Sequence, residues 1–194
     1  LLIPNCLRSN LSYSPLAALE LYVKKTNTMF YKIIILIIMN RNQIMPVGSV
    51  KYLVLHCSAT RCDHDYTVEQ LRRDHKCRGF QDIGYHFYVR KDGRMTQHRK
   101  LLEVGAHARP YNRCSIGICY EGGLDVHGNA CDTRTPEQTL RLKDLLINLH
   151  RLFPNAKIVG HRDLPGVTPK ACPCMDAHSV FGWIENVCVR QKPI

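Results

Sequence analysis

Two histidines and a cysteine, dispersed along the 194-residue chain, have side chains of the types that bind zinc. His56 ends one apolar run, His161 follows a second apolar run at residues 156–160, and Cys172 lies in a proline-rich stretch. Three nitrogen and sulfur ligands leave one position of a tetrahedral zinc ion open, which is the arrangement of catalytic rather than structural sites. Zinc in an open site activates water near neutral pH. These residues therefore predict a zinc hydrolase.

The elements that carry the three residues must bring them together. Residues 50–56 and 156–160 both have the short apolar pattern of buried strands. If these strands are neighbours, both imidazoles project at one edge of the sheet. Cys172 follows His161 closely enough for its loop to fold back to the same metal. Cys174 competes with Cys172 as the third ligand, so the spacing alone leaves that choice open.

The sequence predicts the start of two helices. Thr67 followed by Gln70 forms a capping box, which predicts a helix from there to about Lys76. Thr135, Pro136 and Gln138 predict the start of a second helix. Leucines and a phenylalanine then recur at helical spacing, so this helix buries one face on a sheet; they are Leu142, Leu145, Leu146, Leu149, Leu152 and Phe153.

Further strands are predicted between the two helices. Residues 85–90 and 95–98 form a hairpin around the Asp92-Gly93 turn, and residues 115–120 form another strand. Asp176 caps a final helix that carries Phe181, Trp183 and Ile184. The resulting order of elements, β-α-β-β-β-α-β-α, predicts an α/β domain: one mixed sheet with helices packed on it.

Residues 1–49 differ from the rest and are treated as an N-terminal extension of uncertain status, with the organised domain at residues 50–190. The chain begins with Leu1, and its seven-residue apolar run at 33–39 is too short for a membrane span, which needs about 20 residues. The run is compatible with the centre of a signal peptide, a strand, an interfacial anchor or a non-native leader.

The composition is that of a basic globular protein. The formal net charge is +11, with 27 Lys and Arg residues against 16 Asp and Glu residues. This charge favours an anionic partner, such as nucleic acid, an anionic membrane or an acidic polymer of the bacterial cell wall. A merely soluble basic surface explains it equally well.

Ten cysteines are many for this length, but none forms a Cys-x-x-Cys pair, which argues against a zinc ribbon or a thioredoxin-type motif. Most of those outside the ligand set fall in apolar runs, so we expect them to pack as small buried thiols in a chain that folds reduced.

Five segments, in order along residues 50–185, resemble the zinc-dependent N-acetylmuramoyl-L-alanine amidases of the phage lysozyme-like and peptidoglycan recognition protein superfamily. They are residues 53–60, residues 82–87, residues 105–107 with Asn112 and 115–118, residues 160–163, and residues 170–173. Five ordered motifs are far more specific than any single one.

The resemblance implies hydrolysis of the amide bond between N-acetylmuramic acid and L-alanine of peptidoglycan. It implies Zn²⁺ held by His56, His161 and Cys172, a net charge of +1 at the centre, and Tyr85 and Lys170 as catalytic residues. The Tyr85 phenol would orient the water or the scissile carbonyl, and the Lys170 ammonium would stabilise the oxyanion. The plainer alternatives are a strand aromatic for Tyr85 and a solvated loop cation for Lys170.

Three further residues take roles from the resemblance. His107 and Asn112 are assigned to substrate binding, although His107 is equally compatible with an ordinary loop histidine. Asp163 either holds the His161 ring through a hydrogen bond or pairs only with Arg162. His64, His75, His86 and His98 are expected to be spectators.

The third ligand decides the class of protein that we expect. Non-catalytic recognition proteins of the superfamily typically lose the cysteine, whereas this chain keeps Cys172 and Tyr85, which favours an enzyme over a peptidoglycan-binding domain. A nucleic-acid partner is not expected, because basic and aromatic residues are not interleaved. The expected protein is a monomer without a stable membrane span that acts on the cell wall, for lysis or for remodelling.

Overall fold

The computed structural model describes residues 43–167 and 171–187. The apolar run at 33–39, nearly all of the N-terminal extension and Lys170 lie outside the described residues. The strands are β1 (Tyr52–Cys57), β2 (Thr60–Arg61), β3 (Phe87–Val89), β4 (Met95–Gln97), β5 (Ser115–Tyr120), β6 (Gly123–Leu124) and β7 (Lys157–Gly160). The α-helices are α1 (Val68–Cys77), α2 (Pro136–Leu152), α3 (Ala177–Phe181) and α4 (Trp183–Val187). Short 3-10 turns occupy Val47–Ser49, Tyr111–Arg113 and His161–Asp163.

The main sheet is mixed, with the strand order β4-β3-β5-β1-β7. β1 lies at its interior and pairs in parallel with both β5 and β7, while β3 and β4 form the antiparallel hairpin around Asp92-Gly93. The predicted fold class is confirmed. β1 and β7 are neighbours, which meets the condition under which His56 and His161 were expected at one edge of the sheet. A second, two-stranded sheet of β2 and β6 was not predicted, because two-residue strands carry no readable alternation.

Both predicted capping boxes are present. Thr67 Oγ1 accepts a hydrogen bond from Gln70 N at 3.2 Å, and Gln70 Oε1 accepts one from Thr67 N at 2.7 Å. Thr135 and Gln138 repeat the arrangement at 3.1 and 3.0 Å. Each box satisfies two amide groups that the first turn leaves without partners, so local sequence sets where α1 and α2 begin. Among the described residues, no helix is both long and apolar enough to cross a membrane.

Helix α2 covers one face of the main sheet. Its buried leucines pack in one cluster with alternate residues of β1 and β5, including Leu53, Leu55, Ile116 and Ile118. Successive side chains of a strand point to opposite faces, so His56 lies on the face away from α2. The predicted apolar stripe is confirmed except at Leu152, which is 58% exposed at the end of the helix; Phe153, the next residue, is buried in the same core.

The packed unit begins somewhat before the predicted limit at Val50. Met45 is buried in the main core, and its amide donates a hydrogen bond to Leu102 O at 2.6 Å. Ile44 forms an antiparallel bridge with Glu103. These contacts show that residues 44–49 pack against the domain and form its first segment.

The expectation that most of the remaining cysteines are buried is wrong for the described part of the chain. There, only Cys57 and Cys119 are buried; Cys62, Cys114 and Cys174 are partly exposed, and Cys77 and Cys131 are exposed. Cys77 is exposed because it is the last residue of α1, on the face turned to solvent, and Cys131 lies in the loop before α2. Both cysteines have a charged neighbour in the sequence, Lys76 and Arg78 beside Cys77 and Asp132 beside Cys131, which agrees with their exposure.

The packing of α2 predicts a contrast between two of its leucines. Leu146→Ala should lower the free energy of unfolding by about 2–5 kcal/mol, since this side chain is fully buried and its removal leaves a cavity. Leu140→Ala, on the same helix but 55% exposed, should change it by less than about 0.5 kcal/mol. Urea unfolding of both variants measures the difference, and equal losses would contradict this placement of the helix.

Candidate metal centre and active site

The two histidines and the cysteine singled out in the sequence meet at the carboxyl ends of β1 and β7. One ring nitrogen of His56, one of His161 and Cys172 Sγ all lie within 4.8 Å of one another. His56 is only 2% exposed, whereas the other two side chains are partly exposed. The cluster is therefore closed on one side and open on the other. Two imidazoles and one thiolate are a donor set that fits zinc.

Strand pairing and one turn position the two histidines. Leu55 of β1 lies opposite Gly160, the last residue of β7, so His56 and His161 each follow one member of this pair. Their ring centroids are 4.6 Å apart. His161 opens a 3-10 turn in which Asp163 Oδ2 accepts a hydrogen bond from Gly160 N at 2.9 Å. Asp163 therefore holds the backbone that presents His161.

The predicted alternatives for Asp163 are not decided by this contact. Its Oδ1 lies 3.6 Å from Arg162 Nε in an ion pair on the surface. A direct hydrogen bond from its carboxylate to the His161 ring stays a prediction.

The cysteine loop is tied back to the same two strands. Arg162 N donates to Cys172 O at 3.0 Å, and Cys57 N donates to Cys172 Sγ at 3.4 Å. The sulfur also lies 3.7 Å from His56 Nδ1, which identifies Nδ1 as the ring nitrogen on the metal side. An amide that donates to a thiolate stabilises its negative charge, so β1 supports the sulfur as well as one imidazole.

The competing cysteine, Cys174, lies outside this group. Its Sγ is 3.6 Å from Cys57 Sγ. Burial, together with the nearby Cys57 sulfur, raises the pKa of Cys174 to about 12. The position of Cys174 outside the group of three ligand atoms favours Cys172 as the third ligand.

Tyr85 lies beside the cluster, with its ring centroid 5.1 Å from that of His56. The strand predicted from residue 85 begins instead at Phe87, and Tyr85 lies in the preceding bend. The bend is tightly held: Gly84 N donates to His75 Nδ1 at 2.9 Å, and a Cβ at Gly84 would come within 2.1 Å of Ala106 O. Burial raises the pKa of Tyr85 well above 10, so its phenol remains a hydrogen-bond donor.

His107 is in contact with the cluster rather than only near it. Its Nδ1 lies 3.0 Å from His56 Nε2, the ring nitrogen that faces away from Cys172. Burial lowers the pKa of His107 well below 6.5, so the ring is neutral. Its predicted contact with substrate stays a prediction, but its contact with a ligand histidine was not foreseen.

Asn112 has a structural task in the same loop. Its Oδ1 accepts hydrogen bonds from His107 N at 2.9 Å and from Ala108 N at 2.8 Å. The side chain thus fixes the loop that presents His107. Substrate binding by Asn112 stays a prediction as well.

His86 and His75, which were expected to be spectators, form hydrogen bonds with the backbone beside the site. His86 is fully buried; its Nδ1 accepts from Gly117 N at 3.0 Å and its Nε2 lies 2.7 Å from Glu103 O. His75 is also buried and holds Gly84. The sequence spacing does not predict these contacts. The position of His86 inside the apolar segment at residues 83–89 does indicate that it is buried.

The fold and the site define a class: an α/β domain with an open centre of two histidines and one cysteine at the carboxyl edge of a mixed sheet. Residues 46–175 match the family model described as N-acetylmuramoyl-L-alanine amidase. The chain belongs to this family, whose enzymes hydrolyse an amide bond of peptidoglycan and are typically zinc-dependent. The resemblance inferred from the motifs is confirmed, and so is the prediction of an amidase.

Individual relatives agree with the family. The chain is 42% identical over 122 residues to an endolysin of Enterobacteria phage K11, across 63% of this chain and 79% of the relative. An endolysin of Enterobacteria phage T3 is 38% identical over 138 residues, across 71% and 89%. The solved structure of the amidase LysC from Clostridium intestinale superposes with a TM-score of 0.58 and 27% identity, over 77% of this chain and 93% of that one.

The buried neutral His86 predicts a pH-dependent stability. Burial lowers the pKa of His86 from 6.5 to about 4. Between these values the unfolded chain binds a proton that the folded chain excludes, so stability rises with pH across this window and is lost as the pH falls. Urea unfolding with a chelator present should show this slope, and His86→Gln should lower it by the contribution of one histidine, because His75, whose pKa burial also lowers to about 4, contributes in the same window. An unchanged slope in the variant would contradict the assignment.

Proposed function

We propose that this chain is a zinc-dependent N-acetylmuramoyl-L-alanine amidase in which His56 Nδ1, a ring nitrogen of His161 and Cys172 Sγ hold the ion. The observation that carries the proposal is the meeting of these three atoms, within 4.8 Å of one another, in a cluster with one open side. Bound zinc would supply a Lewis acid for the scissile carbonyl and lower the pKa of water.

The chain's own residues orient the substrate amide. His56 closes the buried side of the cluster, so substrate enters past His161 and Cys172, which are partly exposed. Tyr85 stands beside His56 with a protonated phenol. We assign this phenol to a hydrogen bond with the carbonyl oxygen, which gains negative charge as the amide is attacked.

Lys170 is assigned the second contact with that oxygen, on the resemblance alone. It precedes Cys172 by two residues. Its ammonium group would complement a developing negative charge, a role worth a few kcal/mol where the donor is held in place.

The substrate is proposed to be the cell wall itself, in lysis. The curated relatives include phage endolysins, and the net charge of +11 favours association with an anionic polymer.

The proposal predicts that loss of Cys172 abolishes both zinc binding and hydrolysis. Purified peptidoglycan is incubated with the protein, with and without a chelator, and the release of L-alanyl-terminated stem peptides is measured together with bound zinc. Cys172→Ser should lose both, whereas the matched Cys174→Ser should keep both, since Cys174 contacts Cys57 rather than the cluster. Muropeptide binding by zinc-loaded wild-type protein that releases no peptide would instead identify a recognition domain.

The role of Tyr85 predicts a different result for Tyr85→Phe. Removing one hydrogen-bond donor to a developing oxyanion lowers kcat by about 10²–10³-fold, whereas zinc content should be unchanged because the phenol is not a ligand. Tyr52→Phe, at the amino end of β1, is the matched control and should retain wild-type kcat. A rise in KM with kcat intact would show that Tyr85 only lines the substrate groove.

A further inference from the structure

One ligand histidine is held by another histidine. His56 presents Nδ1 to Cys172 Sγ at 3.7 Å and Nε2 to His107 Nδ1 at 3.0 Å. A ring nitrogen that binds a metal carries no proton, so the proton of a neutral His56 lies on Nε2. The 3.0 Å contact is then a hydrogen bond donated by His56 and accepted by His107.

We propose that His107 is a positioning residue, which fixes the tautomer and the ring orientation of the metal ligand His56; this rests on the zinc site of the proposed function. Because His107 accepts at Nδ1, its own proton lies on Nε2. That nitrogen lies 3.4 Å from Ser115 Oγ, whose hydroxyl donates in turn to Tyr111 O at 2.7 Å. Each group therefore donates to the next, from the metal ligand to a backbone carbonyl.

The His107 ring occupies a space that depends on two neighbouring glycines. A Cβ at Gly105 would lie 2.4 Å from the ring, and a Cβ at Gly117 would lie 2.5 Å from it. Asn112 Oδ1 accepts a hydrogen bond from the His107 backbone amide, which also holds this residue in place. The ring planes of His107 and His56 cross at 86° with centroids 5.1 Å apart, so the edge of one ring points at the other. Glycine at positions 105 and 117 is therefore a condition for this contact.

The choice of acceptor has a consequence for the metal. Ligand histidines most often donate to a carboxylate, a backbone carbonyl or water, and a carboxylate raises the basicity of the ligand. A neutral imidazole holds the ring without adding negative charge. With two neutral histidines and one thiolate, a bound Zn²⁺ keeps a net charge of +1, so the centre is oriented without losing Lewis acidity.

Zinc affinity tests the proposal directly. Zn²⁺ is titrated against a chromophoric chelator in wild-type protein, His107→Leu and His107→Asn. Loss of a group that orients a ligand typically weakens metal binding by about 10–100-fold, and we expect this for His107→Leu. His107→Asn should recover most of the affinity, because Asn Oδ1 stands where His Nδ1 accepts. His98→Leu, a partly buried histidine on the outer hairpin, should match the wild type.

The outcomes distinguish the two proposals. Wild-type protein that binds no zinc would overturn the proposed function and this inference with it. Tight zinc binding in the wild type that His107→Leu leaves unchanged would overturn only the positioning role. A raised KM with unaltered zinc affinity would assign His107 to the substrate groove instead.

A measurement on the unaltered protein settles the matter if the Leu variant does not fold. In zinc-loaded, ¹⁵N-labelled wild-type protein, NMR should detect a scalar coupling between His56 Nε2 and His107 Nδ1 across their hydrogen bond. His107 should carry its proton on Nε2. A proton on His107 Nδ1 would overturn the proposal.

Discussion

The parallel pairing of β1 with β7 is the constraint on which the site depends. It places His56, near the end of β1, beside His161, the first residue after β7. β1 is held there from both sides, since it also pairs with β5 along all six of its residues. A slip of one residue in this register would turn His56 to the opposite face, beneath α2, and the centre would be lost. Burial of Leu53, Val54 and Leu55 opposes such a slip.

Beneath the centre, histidines serve as neutral hydrogen-bonding groups rather than as ions. His75 and His86 each accept from a backbone amide, and burial lowers the pKa of both to about 4. The donors are Gly84, which precedes Tyr85, and Gly117, which lies against the His107 ring. His75 and His86 therefore fix the backbone next to Tyr85 and His107, the two side chains beside the cluster. A histidine-rich site of this kind avoids burying charge, which is costly without a partner.

The proposed third ligand, Cys172, is supported by backbone rather than by a strand of its own. Cys172 lies on a loop whose carbonyl binds the turn after β7 and whose sulfur receives an amide from β1. The same two strands thus determine all three ligand positions. The neighbouring cysteine pair, Cys57 and Cys174, stays outside the cluster because its sulfurs face each other.

Local sequence by itself determined the helix starts at Thr67 and Thr135, the hairpin and the strands of the main sheet, because capping boxes, turns and short apolar runs act over a few residues. It also marked His56, His161 and Cys172, since ligand types and ordered motifs are readable without coordinates. The contacts of His107, Asn112 and His86 were decided only by the tertiary structure. They join residues of different elements, and they depend on backbone amides and on the absence of a side chain at neighbouring glycines. Neither spacing nor composition shows which ring nitrogen of a histidine faces which neighbour.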